Sequence, residues 1–263
     1  MRNPVRALIA PVVAATLAAG ASTMAAAQPP LRIGASLSQT GPYAPLALNQ
    51  LRGYQLCVKH TNEKGGVLGR RIELVVEDDQ SEPALAARIY QKLITQDKVD
   101  AVLGPYSSPL TEAVADLAEK HRMAMVASGA AATSIFKKGR KFIFMVFSPG
   151  EGYLEGLIDM AARRGLRTVA VIHEDTIFPK SIAQGAVELA KKRGLQVVLF
   201  EGYPKGATDF TAVLGRVAGA NPDVLAAATY FDDAVGITLR LRELNLNPRM
   251  FGLTAGGDLP RFY

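Results

Sequence analysis

Two stretches decide how this 263-residue chain is read: Ala101-Val102-Leu103-Gly104-Pro105-Tyr106-Ser107-Ser108-Pro109 and Met123-Ala124-Met125-Val126-Ala127-Ser128-Gly129-Ala130-Ala131-Ala132-Thr133. Each is an apolar run of strand character that stops abruptly in glycine, alanine and small hydroxyl residues. Such an ending exposes backbone N–H groups and Ser/Thr oxygens at a strand's carboxyl end, where a helix normally begins. The unpaired N–H groups and dipole of that helix favour an anion. In open α/β sheets the same edge is where small ligands sit. Two such loops together make half of a clamp for a small molecule that bears a carboxylate.

Outward from these loops the chain alternates strand and helix. Apolar runs at 31–37, 71–77, 99–103, 123–127, 142–147, 167–172, 195–200, 223–228 and 249–253 read as strands. Amphipathic segments at 44–63, 82–97, 109–121, 150–164, 179–193, 209–219 and 231–245 read as helices. The rhythm predicts an α/β fold with mostly parallel sheets covered by helices on both faces. Lys64-Gly65-Gly66, Gly165, Gly194 and Asn221-Pro222 each stop a helix before a strand. Ser108 before Pro109 has the form of an N-cap followed by proline at the first helical position.

The pattern restarts near Arg167, so 137–149 reads as a crossover between two similar lobes. The expected division is a signal peptide at 1–27, an N-terminal lobe at 28–145, a second lobe at 146–250 and an incomplete return crossover at 251–263. Beyond the last strand the sequence runs through Gly256-Gly257-Asp258-Leu259-Pro260 with no closing helix, which is read as a C-terminal truncation.

Arg2 and Arg6, an uncharged apolar stretch from Leu8 to Gly20, and Ala25-Ala26-Ala27 read together as an export signal, with cleavage expected near Ala27-Gln28. The apolar stretch is short and alanine-rich for a membrane span. The expected compartment is therefore the periplasm. Cys57 is the single cysteine; it lies in a stretch read as an apolar helical face, so a buried free thiol is expected and no internal disulfide can form. The net charge of +6 is spread over scattered or paired basic residues near predicted helix ends, not a basic stripe with interleaved aromatics, and nucleic-acid binding is not expected. Three histidines and one cysteine show no metal-ligand spacing, and neither a dinucleotide fingerprint nor a Walker A motif occurs. No cofactor is expected. His173-Glu174-Asp175 is the best case for an enzyme, but neighbours in sequence cannot converge as a catalytic trio does.

Further markers accumulate along the chain: Leu31-Arg32-Ile33-Gly34 with Gln39-Thr40-Gly41-Pro42, Gly65-Gly66-Val67-Leu68-Gly69-Arg70-Arg71-Ile72-Glu73-Leu74, Glu77-Asp78-Asp79, Val102-Leu103-Gly104-Pro105, Asp209-Phe210-Thr211 and Asn221-Pro222-Asp223-Val224. In this order they resemble the periplasmic solute-binding proteins of the leucine/isoleucine/valine-binding type. The resemblance implies a type I periplasmic-binding fold, two lobes that close on a small-molecule solute, and the membrane permease of an ABC importer as partner. It implies a monomer and binding without chemistry. A ligand-sensing module of a receptor and an exported α/β enzyme remain the alternatives.

Residue by residue, the resemblance places a solute carboxylate on Ser108, with Ser107 beside it, and on the second loop at Ala131 and Thr133. That loop is one residue longer than the family's type member, so Ser128 or Ala130 could take these roles. Tyr43 follows the first strand at the same edge, as a cleft residue or a surface turn. In the second lobe Phe178 matches the aromatic that stacks over the ligand, and Tyr230 and Phe231 hold another matching cleft position. Amino-acid binders of the family carry a glutamate close to Thr254, which pairs with the ligand's ammonium. Threonine cannot supply that charge, so either Asp232, Asp233 or Asp258 substitutes, or the solute is an aromatic or aliphatic carboxylate or an amide.

Overall fold

The computed structural model describes residues 28–255, 257 and 262; the leader expected at 1–27 lies outside them, as does Asp258. Nine strands and seven α-helices follow in alternation: β1 Leu31–Leu37, α1 Ala44–Glu63, β2 Ile72–Asp78, α2 Pro83–Thr95, β3 Ala101–Leu103, α3 Ser108–Lys120, β4 Met125–Ala127 and β5 Ile143–Met145 form the first half. The second half is α4 Glu155–Arg163, β6 Thr168–Glu174, α5 Ile177–Lys192, β7 Gln196–Tyr203, α6 Thr211–Ala220, β8 Val224–Ala228, α7 Phe231–Glu243 and β9 Met250–Leu253.

The strands form two sheets, ordered β2-β1-β3-β4-β5 and β7-β6-β8-β9, and every pairing between named strands is parallel. Parallel sheets need both faces covered, and β8 carries Val-Leu-Ala-Ala-Ala buried at every position. The two orders are the same up to the extra strand β5, so the first strand of each lobe is central and the order reverses beside it. Those reversals, between β1 and β3 and between β6 and β8, open the crevices that bind ligands in doubly wound sheets. Phe251 to Leu253 pair with β8, so the second sheet runs past residue 250 into the segment assigned to a return crossover.

Helix termini follow the punctuation of the sequence. Asn221 closes α6 in the left-handed region at φ 45°, a conformation asparagine tolerates, and Pro222 prevents continuation. Two local expectations are corrected. Cys57 is exposed: α1 turns Ala47 fully inward and half-buries Gln50, Leu51, Tyr54 and Val58, which leaves position 57 on the outer face of a 3.6-residue period. The N-cap of α3 is Ser107, whose Oγ accepts from Leu110 N, while Ser108 is already the first helical residue.

Beyond β2 a buried polar knot fixes the loop that carries Tyr43. Asp79, fully buried, accepts from Ser36 Oγ at 2.8 Å, Ser38 Oγ at 2.6 Å and Ser81 N at 3.0 Å. Ser81 Oγ in turn donates to Thr40 O and accepts from Tyr43 N. Burial pushes the Asp79 carboxyl up while the three donors pull it back. Asp79→Ala strands three buried donors and is expected to cost roughly 3–5 kcal/mol in urea unfolding; an unchanged midpoint would refute that role for the knot.

Candidate functional site

The two loops read first from the sequence meet where expected and are bonded to each other. Ser107 N donates to Gly129 O at 3.0 Å. Ser108 Oγ accepts from both Ala131 N (3.2 Å) and Ala132 N (3.1 Å), which uses its two lone pairs and leaves its O–H free to donate. Ser107 sits at φ 86°, in the left-handed half of conformational space that a serine rarely occupies. Such strain persists only where neighbours hold it, and here it places a serine at the mouth of a helix N-terminus. The close approach of the loops also requires Gly104, where a side chain would begin 3.0 Å from Ala127 Cα.

Between the lobes lies a cleft of about 620 Å³. Leu46, Tyr106, Ser107, Ser108, Gly129 and Ala131 line it from the first lobe; Phe147 and Tyr153 come from the crossover, which in the structure is the connection 146–154 between β5 and α4. Phe178, Tyr230, Leu253, Thr254, Ala255 and Gly257 close it from the second lobe. None of these side chains carries a charge. The aromatic wall is continuous: Phe178 packs edge-on to Tyr153 at 5.9 Å and tilted to Tyr230 at 5.2 Å, and Tyr230 meets Tyr43 at 4.8 Å across the seam between the lobes.

Of the residues expected at the site, Ser107, Ser108, Ala131, Phe178, Tyr230 and Thr254 therefore share one cleft. Tyr43 stands behind it, buried against Tyr230 and Tyr106. Thr133 is not brought in. It opens a short 3-10 turn after the second loop, and its N–H and hydroxyl both donate to Glu151 Oε1 of the crossover, the hydroxyl at 2.8 Å. Phe231 is likewise outside the lining: it begins α7 beside Phe262, with Tyr230 as the N-cap that faces the cleft. Thr254 spends its hydroxyl on Thr229, accepting from its N at 2.9 Å and donating to its O at 3.0 Å, so it shapes the floor and brings no charge.

Reading the sequence missed Tyr106, Phe147 and Tyr153. Tyr106 stood within the first loop quoted, and its position between Pro105 and Ser107 was the available signal. Tyr153 had none, because only the packing of the crossover on α5 brings it to Phe178.

Two buried hydroxyls behind the cleft, those of Tyr43 and Tyr230, belong to rings 4.8 Å apart and have no aligned hydrogen-bond partner among the described residues. Burial raises both phenols far above their usual range, so they act as neutral O–H donors. Gln50 and Tyr54 of α1 brace the second loop from behind: Tyr54 Oη and Ser128 Oγ are 2.6 Å apart, and Gln50 Nε2 donates to Tyr54 Oη at 2.6 Å. Among the described residues, no three His, Cys, Asp or Glu side chains converge to hold a metal ion, and no helix is long and apolar enough to cross a membrane.

This geometry has clear relatives. The leucine-, isoleucine-, valine-, threonine- and alanine-binding protein of Pseudomonas aeruginosa is 27% identical over 249 residues, covering 93% of this chain and 66% of its own length. A leucine-binding protein, LivK, from Thermotoga maritima superposes with a TM-score of 0.79 at 25% identity, covering 88% of this chain and 65% of that one. An ABC-transporter solute-binding protein from R. palustris in complex with 4-hydroxybenzoate gives 0.78 at 23% identity, over 88% and 64% of the two chains, a likeness of fold alone. The chain thus spans just under two thirds of the length of these relatives. The family model for periplasmic binding proteins matches residues 30–261, and this chain belongs to that family.

Proposed function

We propose that this chain is the extracytoplasmic solute-binding component of an ABC importer and that its solute is a small carboxylate with an aromatic or aliphatic body. One observation carries the solute class: the described lining is aromatic, aliphatic and hydroxylic, with no charged side chain. An ammonium enclosed there would lose water without gaining a counter-charge, which is costly. A carboxylate fares better. It meets the Ser108 hydroxyl and the N-terminus of α3, and hydrogen bonds to a charged group contribute roughly 1.5–3 kcal/mol each. The solute's apolar body would lie against Phe178, Tyr153 and Tyr230. Delivery to membrane permease subunits, from the periplasm, completes the reading.

The amino-acid reading has its own support in the name of the Pseudomonas aeruginosa relative. A thermal-shift panel of benzoate-type acids, branched aliphatic acids and leucine separates the two. The expected result is a larger rise in melting temperature with the simple acids than with leucine. A rise with leucine alone would overturn the solute class, and turnover of any panel member would overturn the binding role.

A further inference from the structure

Behind the aromatic wall lie two buried carboxyl groups that the cleft does not need. Glu174 ends β6 and Asp233 sits in the first turn of α7; they are 4% and 6% exposed, and Glu174 lies in register with Tyr203, whose Oη reaches Asp233. Two ionised carboxylates buried as neighbours repel and are poorly solvated, which favours a proton on the pair. The remaining positions are filled by donors. Thr176 Oγ1 donates to Glu174 Oε1 at 2.5 Å, and Tyr203 Oη donates to Asp233 Oδ2 at 3.2 Å.

Tyr230, the N-cap of the helix that carries Asp233, meets the other lobe through the Tyr43 ring at 4.8 Å. Tyr43 of the first lobe stands close enough for the Glu174 charge to act on its phenol, as does Tyr230, and neither hydroxyl has an aligned partner. Lys205, after β7, reaches over the Tyr43 ring with Nζ 5.8 Å from its centre while also attracting Glu174. Asp232 adjoins the pair on α7. His173 precedes Glu174 on β6; its ring Nδ1 is 2.9 Å from the Glu174 carbonyl oxygen and the ring packs on Phe200.

We infer that Glu174 and Asp233 form a proton-binding site, holding one proton between them, and that this proton and the Tyr43 cover across the lobe seam stabilise each other. Burial raises both carboxyls above their usual range; Asp233 is pushed up to about 7, with the Glu174 charge as the next cause. The sign follows. Where the covered pair binds its proton more tightly than the uncovered pair, acidification favours the covered arrangement; the gain accrues as pH falls through about 7 and is complete below the ordinary carboxylate range. Coupling of this kind is reciprocal, so a cover that shifts the titration by one pH unit is itself favoured tenfold by protonation.

The test is a carbon-13 NMR titration of the carboxyl groups in the intact chain. The expected result is one carboxyl pair titrating near neutrality, absent in Asp233→Asn, whose amide mimics the protonated acid. Tyr43→Ala should move that titration down by about one unit or more, because it lets water reach the pair. Lys205→Met, a surface change that threatens no packing, should move it up. Both carboxyls titrating only in the ordinary acidic range would overturn the shared proton. A neutral titration that Tyr43→Ala and Lys205→Met leave in place would overturn its tie to the seam. The shared proton stands apart from the proposed solute class; only its link to the seam rests on the two-lobe reading, and the variants test that link separately.

Discussion

Ser108→Ala is expected to weaken carboxylate binding at least tenfold and to lower stability by roughly 2–4 kcal/mol. The reason is the double duty of one hydroxyl. Its lone pairs accept from Ala131 N and Ala132 N, which are buried and have no other partner among the described residues. Each orphaned N–H costs about 1–3 kcal/mol. Its remaining O–H is the donor available to the solute, so affinity falls by the lost bond and by the loosening of the second loop. Titration calorimetry with an acid that shifts melting in the wild type reads the first effect, and urea unfolding reads the second. If the variant kept both values, the serine would be neither clamp nor ligand contact.

Gly185→Val is expected to be the most destabilising single change in the second lobe, by more than about 3 kcal/mol. A side chain on Gly185 of α5 would begin 2.1 Å from Glu151 O and 2.6 Å from Glu151 Cα, in the backbone of the crossover. Backbone cannot rotate aside, so α5 must lift off the turn and carry with it Ile182 and Ala186, both fully buried, and Phe178 at the cleft. The matched control is Gly215→Ala on α6, where added atoms meet nothing within 4 Å. There the helix propensity of alanine should raise stability by about 0.5–1 kcal/mol. Equal urea midpoints for Gly185→Val and the wild type would show that the crossover is not seated on α5 as described.

Much of the architecture was legible before any coordinates. All nine strands and seven helices fall within a few residues of their expected places, because each apolar run ends in residues with one dominant backbone preference, such as Asn221-Pro222. The loops at 104–109 and 127–133 were also legible as a site, since a strand that ends in glycine and serine announces exposed N–H groups. Cys57 escaped for a local reason: an apolar residue in a weakly amphipathic helix can fall on either side of the stripe.

Side-chain roles were harder. Thr133 and Ser108 are both small hydroxyl residues on cleft loops, yet one hydroxyl turns to Glu151 and the other to the opposite loop. The choice depends on which partner lies within hydrogen-bonding distance, and that is a property of packing. The same holds for Glu174 and Asp233, which are 59 positions apart in sequence and become one titrating unit only when β6 and α7 are laid side by side.

What the sequence determined alone is the succession of strands and helices, the parallel arrangement that such alternation demands, and the chemistry offered at the strand ends, all of which follow from local backbone preference and apolar periodicity. What only the tertiary structure decided is which offered groups meet: the aromatic wall from Tyr153 to Tyr43, the cleft whose described lining is uncharged, and the carboxyl pair behind it. Those are contacts between residues far apart in the chain, and their energies depend on distance and exclusion of water, which no spacing in one dimension encodes.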